Sequence, residues 1–215
     1  MTEVVLYDYW RSTASYRVRI ALELARIECK TVSIDLLAGA QRDAAHLARN
    51  PQGYVPVLEI DGLRLTQSLA IIEYLDETQG LLLLPDDPAA RARVRALSQV
   101  IAADTHPICN PAVVGHVLTQ FQPEDAEAAR IDWMRHFIRR GLVAFEALLD
   151  DPATGTFCHG ETPSLADLCL VPQIYNARRW GPKFDDLARV TRISAAAEAL
   201  PAFQRAAPEA VRPAD

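Results

Sequence analysis

Apolar and polar positions divide the chain into an early stretch of alternating strands and helices and a longer helical stretch. Val4–Leu6 is a short β-rich run. After a loop, Val18, Ala21, Leu22 and Ala25 recur at helical spacing and predict a helix from about Ser15 to Ala25, with Arg17, Arg19 and Glu23 largely on its outer face. Thr31–Ile34 is a second β-rich run, and Gln41–Arg49 reads as a short helix that Pro51 stops. Val57–Ile60 and Arg64–Thr66 flank Asp61-Gly62, a strong two-residue hairpin signal. Ser68 opens the helix SLAIIEYLDE, which ends near Gly80. The order β-α-β-α-β-β-α predicts a small sheet with helices on its faces and a right-handed crossover joining its first, parallel pair.

The segment LLLLPDDP, residues 81–88, reads as a linker, because Pro85 and Pro88 block helix continuation. No strand is predicted beyond it. Ala89–Ala103 is helical; Ile131, Met134, Ile138, Leu142, Phe145 and Leu149 recur every three or four residues and mark a core helix. Ser164-Leu-Ala-Asp167 resembles a capping box with Asp in place of Glu or Gln, and another helix runs from Arg192 to Leu200. The expected organisation is an α/β domain at 1–80, a linker at 81–88 and an all-α domain at 89–215.

Composition narrows the function. The chain has 215 residues, 50% hydrophobic and 23% charged, which is a globular profile. A net charge of −6 argues against a general nucleic-acid binder. The first ten residues, MTEVVLYDYW, lack a signal-peptide pattern, and the longest apolar run, Leu81–Leu84, is too short for a bilayer. Cys29, Cys109, Cys158 and Cys169 form no CxxC, so a cytoplasmic protein with reduced thiols and no zinc site is expected. His46, His116, His136 and His159 share no ligand spacing and read as surface or loop residues; Trp133 and Trp180 read as packing.

Three segments of the first domain carry possible chemistry. Arg11-Ser12-Thr13-Ala14-Ser15 precedes the first helix; its hydroxyls could simply cap that helix, or the free N–H groups and dipole could hold an anion such as a thiolate. Tyr54-Val55-Pro56-Val57 is either an ordinary proline at a strand start or a cis Val55–Pro56 bond that turns the Val55 main chain outward to pair with a peptide. Gln67-Ser68 is a plain N-cap or a receptor for a ligand carboxylate.

With these segments in this order, the sequence resembles the zeta class of glutathione S-transferases, and within it the bacterial maleylacetoacetate isomerases. The resemblance is carried by WRSTASYRVRIAL (10–22), NPQGYVPVL (50–58), QSLAIIEYL (67–75), DTHPICN (104–110), GETPSLADLCLVPQIYNARR (160–179) and the ending PAFQRAAPEAVRP, and spans nearly the whole chain. It implies a thioredoxin-like N-terminal domain, an all-α C-terminal domain, glutathione as cofactor and a homodimer. It also implies cis–trans isomerisation of a dicarboxylate, maleylacetoacetate, by reversible thiolate addition. By resemblance, Ser12 holds the glutathione sulfur as thiolate, and Gln41, Val55 (through its backbone), Gln67 and Ser68 bind the tripeptide, with Thr13, Ser15 and Pro56 beside them. His106 and Asn110 match positions near the glutathione and substrate sites; Arg11 and Arg179 match arginines placed against substrate carboxylates.

One position departs from many eukaryotic zeta sequences, which carry a cysteine where this chain has Ala14. Three other readings stay open: maleylpyruvate isomerase, a transferase or dehalogenase acting on small α-halo acids, and a non-catalytic scaffold. Retention of Ser12, Gln67 and Ser68 together disfavours the scaffold.

Overall fold

The computed structural model describes residues 3–213 and forms two compact units. The first comprises residues up to Leu83 together with 199 onward; the second is Leu84–Glu198. In the first unit β1 (Val5–Asp8), β2 (Lys30–Ser33), β3 (Val57–Ile60) and β4 (Leu63–Thr66) form one sheet in the order β2-β1-β3-β4. The β1–β2 pair is parallel and the others antiparallel, with Leu6 opposite both Thr31 and Leu58. Asp61 and Gly62 turn the β3–β4 hairpin with φ of 53° and 78°, the left-handed pair that a tight two-residue turn requires.

α1 (Thr13–Ala25) and α3 (Ser68–Gln79) pack against each other, with Val18, Ala21, Leu22, Ile71, Ile72 and Leu75 all buried. Gly80 in the left-handed region ends α3. Between β2 and β3, the helix expected over 41–49 breaks into a 3₁₀ turn, Ala40–Arg42, and one turn of α2 (Ala44–Leu47).

Two departures from the expected pattern bear on the site. Arg17 and Arg19, expected outside α1, are 2% and 6% exposed. The helical periodicity holds, but a guanidinium with buried acceptors occupies an inner face that hydrophobicity alone assigns to the outside. The second departure concerns 199–213, expected in the helical domain. Leu200 and Pro201 start α9 (Pro201–Arg205), which packs on α1, with Phe203 fully buried and the Tyr16 hydroxyl donating to the Phe203 carbonyl at 3.1 Å.

The second unit is helical among the described residues: α4 (Pro88–Gln99), α5 (Pro111–Phe121), α6 (Ala126–Leu148), α7 (Leu165–Trp180) and α8 (Ala188–Glu198). Pro88 opens α4 at its first turn, where its missing N–H costs nothing. α4 runs on into a π-helical stretch, Val100–Thr105, closed by the Thr105 hydroxyl donating to the Val100 carbonyl at 2.7 Å. Met134, Ile138, Leu142, Phe145 and Leu149 are buried. Ser164 and Asp167 form the predicted capping box: buried Asp167 accepts from the Ser164 N–H at 2.8 Å, the Ser164 hydroxyl at 2.7 Å and the Cys158 N–H at 2.9 Å.

Candidate active site

The loop before α1 is closed by the Ser12 N–H donating to the Tyr9 carbonyl at 2.8 Å. Ser12 then caps α1, its Oγ accepting from the Ser15 N–H at 3.2 Å. The half-buried hydroxyl retains its proton to donate elsewhere. With no acidic residue in its first turn, the helix has no carboxylate of its own there to offset the positive end of its dipole. Thr13 is buried, and Ser15 is fully buried, so Ser15 supports the cap from behind rather than from the surface. Arg11 donates to the Tyr9 hydroxyl at 3.1 Å and lies 4.8 Å from the centre of the Trp10 ring.

The second element is the start of α3. Gln67 sits at φ 67°, an unusual conformation for a residue with a Cβ, and provides no side-chain cap. The first-turn N–H groups are thereby left for another acceptor. Ser68, buried, accepts from the Arg17 guanidinium at 3.2 Å, which sets a buried positive charge behind this helix start. Gln67 itself is exposed and donates from Nε2 to Gln52 Oε1 at 2.8 Å.

The third element is the Val55–Pro56 bond, which is cis and lies just before the β3 ladder begins at Val57. The loop leading to it is held from inside. The Tyr54 carbonyl accepts from His46 Nε2 and Asn50 Nδ2, each at 3.0 Å, while Asn50 Oδ1 accepts from the Gln52 N–H at 3.1 Å. His46 is 1% exposed, so it is a buried donor and not the surface residue expected; only the fold supplies the carbonyl that its Nε2–H meets. Tyr9, Trp10, Ala40 and Val55 belong to one apolar cluster, which brings the Arg11, Gln41 and Val55 segments together. Gln41 Oε1 is buried there with no hydrogen-bond partner among the described residues.

The remaining expected residues lie in the helical unit. His106 follows the π-helical stretch and is half-buried. Asn110 caps α5, accepting from the Ala112 N–H at 2.9 Å. Burial pushes the nearby Cys109 thiol up to about 11, so it stays protonated at neutral pH and supplies no thiolate. Arg179, in the last turn of α7, is exposed with its guanidinium 5.1 Å from the Trp180 ring centre. Its neighbour Arg178 is bound twice to Glu198, at 2.6 and 3.0 Å.

Sequence reasoning missed Arg17, His46 and Asn50 as supports of this site. Asn50 and Gln52 lie inside the NPQGYVPVL motif and Arg17 inside WRSTASYRVRIAL, whereas His46 lies in neither; the pattern alone reads a polar residue in a helix, such as Arg17 or His46, as solvent-facing. No group of three or more His, Cys, Asp or Glu side chains among the described residues could hold a metal ion.

Known proteins resemble this chain in sequence and in fold. The family model for the glutathione S-transferase N-terminal domain matches residues 2–77, and that for the C-terminal domain matches residues 127–205. A maleylacetoacetate isomerase of Rhizobium meliloti is 58% identical over 212 residues, covering 98% of this chain and 99% of its own. The holo structure of a maleylpyruvate isomerase, described as a bacterial zeta-class glutathione S-transferase, superimposes with a TM-score of 0.93 at 39% identity, over 98% of this chain and 100% of that one. A maleylacetoacetate isomerase from Methylobacterium extorquens AM1, solved with malonate and glutathione bound, gives the same score at 42% identity and the same coverage. With a thioredoxin-like sheet domain, an all-α domain and these relatives, the chain belongs to the glutathione S-transferase family, in its zeta class.

Proposed function

We propose that the protein is a glutathione-dependent cis–trans isomerase that converts maleylacetoacetate to fumarylacetoacetate in tyrosine and phenylalanine breakdown. The observation that carries this reading is the pair of prepared helix starts: a capping Ser12 hydroxyl with a proton to donate, and an α3 start without a side-chain cap backed by the Arg17–Ser68 bond. Those groups fit glutathione, which offers a thiol and carboxylates, and the partnerless Gln41 Oε1 fits its ammonium or amide N–H groups.

When bound, glutathione supplies a thiolate that adds reversibly to the alkene conjugated with the ketone, making that bond single long enough to rotate. The protein's part is to hold and orient. Ser12 donates to the sulfur and, with the α1 dipole, favours its ionised form; Thr13 and Ser15 shape that helix start. Gln67 and Ser68 present the α3 start to a carboxylate, while Val55, fixed before Pro56, pairs through its main chain. Gln41, His106 and Asn110 complete the glutathione contacts. Arg11 and Arg179 take the two substrate carboxylates, concentrating positive charge in a protein of net charge −6. Malonate, the ligand of the Methylobacterium relative, is itself a dicarboxylate, which supports that assignment. Cytoplasmic location and a homodimer complete the reading; light scattering at micromolar concentration tests the dimer.

The deciding experiment is the initial isomerisation rate of maleylacetoacetate with and without glutathione, with maleylpyruvate as competitor. A glutathione-dependent rate favouring maleylacetoacetate is expected. Preference for maleylpyruvate, the reading favoured by likeness to the maleylpyruvate isomerase structure, keeps the mechanism and changes the substrate. No rate on either overturns the isomerase.

A further inference from the structure

Arg19 ties together three parts of the first unit that the proposed chemistry does not use. Its Nη1 donates to both oxygens of Asp8 at 3.0 and 2.8 Å, its Nη2 to the Trp10 carbonyl at 2.9 Å, and its Nε to the Ala206 carbonyl at 2.9 Å. Both charged side chains are buried, Asp8 at 2% exposure. An ion pair this deep adds little net stability over apolar packing, because desolvation offsets its Coulomb energy. What a planar guanidinium fork supplies is direction: several acceptors fixed at once.

The acceptor that matters is Trp10. Its carbonyl lies within the turn that the Ser12 N–H closes on Tyr9, so anchoring it fixes where the Ser12 hydroxyl points. The C-terminal segment reaches the same residue twice: through Ala206 and Arg19, and through Arg212, whose guanidinium lies 5.3 Å from the Trp10 ring centre. It is latched to α1 at two further places, Tyr16 to Phe203 and Arg205 to Glu23 at 2.7 Å.

We propose that Arg19 is a positioning residue for the Ser12 hydroxyl, and that the C-terminal segment, through Ala206, is part of the device that activates the glutathione thiol. The proposal rests on the proposed role of Ser12 as donor to the sulfur. Its test is the pKa of the thiol of bound glutathione, read from thiolate ultraviolet absorbance in the full-length Arg19→Lys protein. Lysine keeps the charge but cannot reach all three partners. The expected result is a rise of about one unit and a fall in kcat at pH 7 of up to about tenfold that recovers at higher pH. Affinity for S-methylglutathione, which has no thiol to ionise, stays unchanged.

An unmoved thiol pKa in folded Arg19→Lys, with Ser12→Ala raising it, overturns the role of Arg19 alone. An unmoved pKa in Ser12→Ala overturns the Ser12 reading and this proposal with it. Should Arg19→Lys not fold, hydrogen exchange on the unaltered protein decides. Shared opening of the amides at 10–12 and 203–206 supports the coupling; independent opening overturns it.

Discussion

Arg17, on α1, donates to the hydroxyl of Ser68, the first residue of α3, at 3.2 Å with both side chains buried. The bond joins the two helices that carry the proposed thiol and carboxylate subsites, and it leaves a cation behind the α3 start. A hydrogen bond to a charged group contributes about 1.5–3 kcal/mol. Arg17→Met is therefore expected to weaken glutathione binding by about tenfold or more, a change titration calorimetry resolves. Unaltered affinity in a folded Arg17→Met protein removes Arg17 from the site.

Ser12 caps α1 in the structure and donates to the glutathione sulfur in the proposed function, and substitution separates the two. As N-cap of α1 it contributes about 1 kcal/mol to stability, which Ser12→Ala forfeits. If Ser12 is the donor to the sulfur, Ser12→Ala should also lower glutathione-dependent kcat by on the order of a hundredfold. Ser12→Thr keeps both the cap and the hydroxyl and retains most of each. A Ser12→Ala enzyme that loses stability but no rate has only a cap at this position.

These two residues also mark how far the sequence can be read. Ser12 is legible because a hydroxyl before a helical pattern has a local meaning. Arg17 is not, since only the fold reveals that the inner face of α1 meets the Ser68 hydroxyl. The Asp61-Gly62 hairpin, the Ser164–Asp167 box and the α6 core positions are likewise local and legible. α5 carries Val114, Val117, Leu118 and Phe121 at helical spacing, yet only Val114 is buried, so its apolar stripe promises more contact than the fold gives it. The docking of 199–213 on α1 rests on long-range bonds to main-chain carbonyls, which no residue pattern announces.

Asp167 ties its own stability contribution to pH. Burial pushes its carboxyl above the ordinary 3.8, and the hydrogen bonds from Ser164 and Cys158 only partly oppose that. Between 3.8 and the raised value the folded state binds more protons than the unfolded state, so stability falls as pH rises through that window. Asp167→Asn lacks this titration. Denaturant melts from about pH 3.5 upward should show the wild-type advantage over Asp167→Asn shrinking as pH rises. A constant or widening gap contradicts the shift. Asp167→Ala, which strands the Cys158 and Ser164 N–H groups, should cost about 3 kcal/mol or more at any pH.

Gly141 lets α6 approach the π-helical stretch. A Cβ there would overlap Thr105 Oγ1 and come within 3.1 Å of its Cβ and Cγ2. Overpacking of this kind costs about 1–3 kcal/mol. Gly141→Ala should lower the unfolding free energy by that amount, and adding Thr105→Ala should restore part of it, a non-additivity that a double-mutant cycle measures. Strictly additive costs would show that the two residues do not compete for the space.

Arg178 and Arg179 are neighbours with different surroundings, and the difference predicts different phenotypes. Arg178 is engaged by Glu198 on α8, an exposed pair whose loss costs no more than about 1 kcal/mol. Arg179 is exposed, with its guanidinium over the Trp180 ring in the last turn of α7, and the proposed function assigns it a substrate carboxylate. Arg178→Ala is accordingly expected to leave kcat/KM for the dicarboxylate within about twofold, whereas Arg179→Ala lowers it by about tenfold or more with glutathione affinity intact. Each tenfold corresponds to about 1.4 kcal/mol of transition-state binding. Measuring both variants against a shortened monocarboxylate substrate completes the test. If Arg179 holds a carboxylate, the substrate lacking that carboxylate loses rate in the wild type and loses little more in Arg179→Ala; equal further losses on both substrates would assign Arg179 to packing against Trp180 instead.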